Sequence, residues 1–179
     1  MPNQEKDCFV IMQIGNKDME RIWSNVYKPA IQSCGLNPIR VDKHDDGSLV
    51  KQQIVRYLNQ AEVIIGDLTN ERPNCYLEIG YVMGLGRHDK LILCCRSDHN
   101  PDSPIYVPGK GKIHFDLQGY HILWWESGDF EKFKAELVDR IGRRKGRPRS
   151  ASQYERIVAV TTEQTTAWLE KVRREAFGQ

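Results

Sequence analysis

Short apolar runs separated by helical periodicity constrain this chain more than any other feature. Cys8–Met12 (CFVIM) and Leu91–Cys95 (LILCC) are continuous apolar segments, as expected of strands buried on both faces. Leu36–Val41, Val63–Ile65 and His121–Trp125 read as three further strands. Between the first two, Ile22, Val26, Ala30 and Ile31 recur at helical spacing over Asp18–Cys34. Gly35 is a stop signal there, and Pro29 predicts a kink or an early end. After a polar loop, Asp42–Gly47, Ser48 is positioned to cap a helix that buries Val50, Ile54 and Leu58. A helix over Asn74–Arg87 follows the third strand. Phe130–Ile141 is a last amphipathic helix, with Phe130, Phe133, Leu137 and Ile141 on one face. Ile113–Phe115 reads as a short edge element, preceded by a long Pro- and Gly-rich loop, Arg96–Lys112, of a length that is usually functional or mobile.

Strands alternating with helices argue for a parallel sheet joined by crossovers. The expected fold is α/β, a flavodoxin-like (Rossmann-like) parallel sheet of about five strands with helices on both faces, plus a C-terminal helical tail. The expected division is an α/β domain over 1–142, a basic linker over 143–150 and a helical tail over 151–179. The linker RRKGRPRS reads either as a phosphate contact or as a solvated connection whose charges suit the preceding helix C-terminus. The tail pattern (Ile157, Val160, Trp168, Val172) suits packing on the domain, homo-oligomerisation or a partner protein.

Composition narrows the function classes. A formal net charge of +2 over 179 residues predicts no general affinity for nucleic acid. No apolar run approaches the roughly 20 residues needed to span a bilayer, and MPNQEKDCFVIM lacks the order of a secretory signal. The five cysteines have no zinc spacing. Their odd count, with no export signal, points to a reducing cytoplasm. No metal and no cofactor is expected.

Open α/β sheets bind ligands beyond the carboxyl ends of their strands. Val63–Arg87 (VIIGDLTNERPNCYLEIGYVMGLGR) occupies such a junction, with Asp67 at the strand end and Glu78 early in the next helix. The helix N-terminus favours an ionised Glu78, able to act as a nucleophile or to stabilise an oxocarbenium-like sugar. An acidic residue in a helix's first turns is equally an ordinary surface choice. Asp67 is suited to orienting a ligand hydroxyl, passing a proton or capping the following turn. Gln13 with Gly15, past the first strand, is suited to hydrogen-bonding a base or phosphate. Asp42, Asp45 and Asp46 are suited to a ribose or cation, or to solvation alone. Asn74, Tyr76 and Tyr81 complete the set of candidate binding residues, with the tyrosines available for stacking. Cys75 is a minor candidate nucleophile, and His44 and His114 show no partner by spacing.

CFVIMQIG, the W-x-x-V-Y-K-P-A-I string at Trp23–Ile31 and DLTNERPNCYLEIGYVMGLGR together resemble the nucleoside 2-deoxyribosyltransferase-like proteins, which share their architecture with TIR domains. The resemblance covers about Cys8–Ile141. It implies cleavage of an N-glycosidic bond in a nucleotide or NAD, with Glu78 as nucleophile or stabiliser of the ribosyl cation. It also implies Asp67 near the base or a sugar hydroxyl. Cys75–Glu78 looks like the segment around the catalytic glutamate of NAD-cleaving TIR domains. Departures bear on the reaction: the transferases' additional aspartate, about six residues before the glutamate, is here Arg72. Leu77 precedes Glu78 where relatives read Y-E-L-G, and Gln13–Ile14 replace a P-F pair. These changes disfavour base exchange and suit a phosphorylated substrate. A non-catalytic nucleotide-binding sensor and a 2-deoxyribosyltransferase remain the alternatives.

Overall fold

Residues 6–43 and 50–146 are described by the computed structural model. Five strands, β1 (Asp7–Ile11), β2 (Asn37–Ile39), β3 (Val63–Asp67), β4 (Leu91–Arg96) and β5 (Ile122–Trp125), form one parallel sheet in the order β2-β1-β3-β4-β5. That order is flavodoxin-like. β1 lies between β2 and β3, so Phe9 is opposite both Ile39 and Ile64.

Each central strand feeds two cores because successive side chains point to opposite faces. Cys8, Val10, Val63, Ile65, Ile92, Cys94, Leu123 and Trp125 face one core with Met19, Ile22, Val26, Tyr27, Phe133, Leu137 and Ile141. Phe9, Ile11, Ile64, Leu91, Leu93 and Cys95 face the other with Tyr57, Leu58, Ile79 and Val82. The first core is covered by α1 (Lys17–Ile22), α2 (Lys28–Ser33) and α6 (Phe130–Arg144). The second lies under α3 (Val50–Gln60), α4 (Pro73–Gly84) and α5 (Phe115–Gln118). Gly66 of β3 permits the closest of these approaches, since a Cβ there would sit 2.8 Å from Ile79 Cδ1 of α4.

Several local expectations are corrected. Pro29 does not end its helix early. A π-helical turn, Trp23–Tyr27, joins α1 to α2, with the Lys28 N–H donating to Trp23 O. Proline cannot donate and its ring crowds the carbonyl four residues back, and the wider turn absorbs both effects. The helix also begins earlier than expected, because the Asn16 side chain accepts from the Asp18 and Met19 N–H groups. β2 is only three residues long, with Pro38 on an edge strand where a missing donor is tolerated. Ile113–Phe115 forms no strand: the backbone enters α5, which places Ile113 and Leu117 four residues apart in the second core. α6 continues past Ile141 to Arg144, and its last turn uses the basic residues locally. Arg143 pairs with Asp139 at 2.6 Å, and Arg144 donates to the carbonyls of His88 and Asp89. The Ser48 cap, His44, Asp45, Asp46, residues 147–150 of the linker and the 151–179 tail lie outside the described residues.

Candidate active site

In this strand order the chain runs outward from β1 to β2 and then returns to β3 on the other side of β1. The carboxyl ends of β1 and β3 therefore flank the switch point where such sheets bind ligands. Beyond β3 the chain makes a 3₁₀ turn, Thr69–Glu71, in which Asn70 (φ 64°) and Glu71 (φ 49°) are both left-handed without being glycine. Such residues cost of order 1–3 kcal/mol each and persist where the surroundings hold them. Here the Asn70 N–H donates to His99 Nε2 at 3.0 Å and its side-chain amide donates to Gln13 Oε1 at 2.7 Å. Arg72 is extended because Pro73 follows it, and Pro73 opens α4 at the position where its missing N–H is harmless.

A cavity of about 310 Å³ lies over the end of β1, between α3 and α4. Gln13 lines it from β1, Arg40 from β2, Val50 and Ile54 from α3, and Arg72, Asn74, Cys75 and Glu78 from the start of α4. Glu78 is half-buried, and among the described residues no hydrogen bond or ion pair meets its carboxyl. Burial alone pushes its pKa up to about 7. This differs from the expectation that the helix terminus would favour the charged form. Glu78 is the sixth residue of α4, beyond the first turn in which the dipole acts, so desolvation prevails.

Arg40 is 1% exposed and fixed on three sides. Its Nε donates to Asp42 at 2.5 Å, its Nη2 to Glu20 at 2.7 Å, and its guanidinium lies 5.0 Å from the Trp23 ring centroid. Arg72 is exposed at the cavity and makes no ion pair among the described residues. Among the described residues the arrangement thus joins one unpaired carboxyl, one unpaired cation and one anchored cation around a single hollow. A larger hollow, about 570 Å³, runs along β5 beside Lys112, Tyr120 and Trp124. It lies at the sheet's edge, and among the described residues its one lining carboxylate, Asp102, is exposed.

The candidate residues divide. Glu78, Asn74 and Gln13 share the cavity. Asp67 does not line it: the residue is fully buried, and Tyr27 O–H (2.5 Å) and Trp125 Nε1 (3.1 Å) donate to its Oδ2, the Thr69 N–H (2.8 Å) to its Oδ1. Burial raises its pKa against the pull of those donors. Asp42 contributes through Arg40. Gly15 (φ 78°) makes the turn out of β1, and its neighbour Ile14 reaches the cavity. Tyr76 turns to the other side of α4, where its O–H donates to Lys112 O and its ring lies 4.2 Å from His114. Tyr81 is exposed, 3.5 Å from Asn59 Nδ2. Cys75 faces the cavity as a thiol, not a thiolate: burial, with the charges of Glu78 and Asp67, pushes it up to about 12. His114 has the partner that spacing did not reveal, Glu71 at 2.8 Å.

Sequence reasoning missed Arg40, although a lone arginine within the Leu36–Val41 strand segment was its signal. It also missed the network behind Gln13, in which Arg96 binds Asp98 (2.8 Å), Asp18 (3.0 Å) and Asn70 Oδ1 (3.3 Å). Among the described residues no cluster of His, Cys, Asp and Glu is arranged to hold a metal, and no helix is long and apolar enough to cross a membrane. Compared with known proteins, the chain matches no family model and no curated sequence.

Proposed function

We propose that the chain is an N-glycosidase that cleaves the base–sugar bond of a nucleotide or NAD, with Glu78 acting at the anomeric carbon. The observation that carries this reading is the Glu78 carboxyl: half-buried, unpaired among the described residues, and lining a cavity at the switch point of the sheet. Enzymes place carboxyls in such surroundings to set their protonation near the working pH. As the C1′–N bond breaks, the ionised carboxylate stabilises the positive sugar or forms an ester with C1′. Water then adds its hydroxyl to C1′. Its proton replaces the one that a departing purine or pyrimidine takes from solvent, whereas nicotinamide leaves NAD as a neutral base and the water's proton is released to solvent. The reaction gives free base and sugar phosphate, or nicotinamide and ADP-ribose.

The resemblance around Cys75–Glu78 supports this assignment. Arg72, unpaired at the cavity among the described residues, supports a phosphorylated substrate and stands where the transferases carry an aspartate. One observation favours a second reading, a nucleotide-binding sensor without turnover: Asp67 is engaged by Tyr27, Trp125 and Thr69, which among the described residues leaves Glu78 without a second carboxyl in the cavity. Incubation with NAD and a panel of deoxynucleotides, followed by chromatography with mass detection, separates the readings. Free base without an added acceptor marks a hydrolase. Base exchange that needs an acceptor marks a transferase, and binding with no product marks a sensor.

A further inference from the structure

Arginine can only donate hydrogen bonds, and that fact propagates from the core to the cavity. Arg96 is held in place by Asp98 at 2.8 Å and Asp18 at 3.0 Å, with its guanidinium 5.7 Å from the Trp125 ring centroid. Its Nη2 donates to the Asn70 side chain at 3.3 Å, so the oxygen of that amide must face Arg96. The Asn70 nitrogen is then committed to the other side, where it donates to Gln13 Oε1 at 2.7 Å. Gln13 is therefore turned with its oxygen used. Among the described residues its Nε2 has no partner, and the side chain lines the cavity that also holds Glu78.

We infer that Gln13 is the specificity residue of this cavity, and that its amide, oriented by Arg96 through Asn70, selects ligands that present a hydrogen-bond acceptor. This rests on the reading of the cavity as a nucleotide site. The chemistry selected is an oxo group on the base, as in 6-oxopurines and 4-oxopyrimidines, over the corresponding amino group. A 6-amino or 4-amino base would set donor against donor and leave both unsatisfied, the most costly arrangement for a desolvated polar group. Asn70 acts as a positioning residue: it never meets the ligand but decides which end of the Gln13 amide does.

The chain of donors can be reversed without altering the cavity wall. In Asn70→Asp both side-chain oxygens accept, one from Arg96 and one from Gln13. Gln13 must then rotate its amide and offer Oε1 to the ligand. Aspartate tolerates the left-handed backbone at this position almost as asparagine does. Gln13→Glu reaches the same end independently, since Asn70 still donates to one carboxylate oxygen and the other faces the ligand as an acceptor.

Dissociation constants for the pairs dIMP/dAMP and dUMP/dCMP, measured by calorimetry in a Glu78→Gln background so that no turnover intervenes, test the inference. The parent should bind the oxo member of each pair about 10- to 100-fold more tightly, the range for one unmatched polar group. Asn70→Asp and Gln13→Glu should both reverse the order. An unchanged oxo preference in Asn70→Asp, at a native melting temperature, overturns the inference, as does equal binding of oxo and amino ligands by the parent. If Asn70→Asp fails to fold, Gln13→Glu decides by the same criterion. Nucleotide binding without oxo preference removes this inference and leaves the proposed function standing, as does binding of NAD alone, whereas failure to bind NAD and all four nucleotides removes both.

Discussion

Replacing Glu78 by glutamine should stabilise this protein, and only above the pH at which an unfolded glutamate ionises. The folded carboxyl titrates at about 7, against 4.5 for an exposed one, because burial opposes its charge and no partner among the described residues compensates. Between pH 4.5 and 7 the native state therefore keeps a proton that the unfolded chain has released, and stability falls as pH rises. Below 4.5 both states hold the proton, and above 7 neither does, so the loss is complete. At about 1.36 kcal/mol per pH unit the interval is worth at most about 3.4 kcal/mol. Solvent reaching the half-buried side chain screens this to about 1–2 kcal/mol. Glutamine carries no charge to desolvate, so Glu78→Gln should equal the wild type at pH 4 and exceed it by that amount at pH 8. Urea unfolding followed by tryptophan fluorescence at pH 4, 5, 6, 7 and 8 measures the difference. Other carboxyls contribute slopes of their own. Burial pushes Glu62 up, but Lys6, the Gly146 N–H and Lys90 pull it down to about 2. Such terms cancel between the two proteins. A difference that does not change with pH, or a variant less stable than wild type at pH 8, would refute the reasoning.

The remaining expectations concern neighbouring parts of the site. Base release should rise with pH to a plateau above about 7, as Glu78 loses its proton, and a profile flat from pH 5 to 9 would contradict a role for its ionised form. Tyr27→Phe removes a buried donor to Asp67 and should cost about 1–3 kcal/mol in urea unfolding while leaving nucleotide dissociation constants unchanged, since Asp67 is outside the cavity. Arg72→Ala should weaken binding of a deoxynucleoside monophosphate roughly 10-fold, the scale of one charge-assisted hydrogen bond, without weakening the unphosphorylated nucleoside, as read by calorimetry. Gly66→Ala should force Ile79 away from β3 and lower stability by about 1–3 kcal/mol, as overpacking does, with a matching fall in melting temperature.

Much of this architecture is legible in the sequence because the information is local. Runs such as CFVIM and LILCC are apolar at every position, and the structure uses every position, with Cys8 and Val10 facing one core and Phe9 and Ile11 the other. The place of Glu78 was legible for the same reason: a strand, a turn with Pro73 and a helix put it beyond the carboxyl end of β3, although spacing alone left its role open. What stayed hidden depends on residues distant in sequence. Asp67 has the position of a site residue, yet its carboxylate is used by Tyr27, 40 residues earlier, and Trp125, 58 residues later. Tyr76 and Tyr81 belong to the helix of Glu78, but five residues set them about 140° apart around its axis, which sends one toward His114 and the other to the surface. The expected charge on Glu78 rested on a helix dipole that does not reach the sixth residue of α4, and burial becomes visible only once α3 and β1 close over the cavity.

The central claim is that Glu78 performs chemistry in this cavity rather than merely lining it. The most direct measurement compares wild type and Glu78→Gln on one compound, recording the dissociation constant and the rate of base release side by side. The account predicts binding within a few-fold in the two proteins, with base released only by the wild type. Base release by Glu78→Gln at the wild-type rate would contradict it.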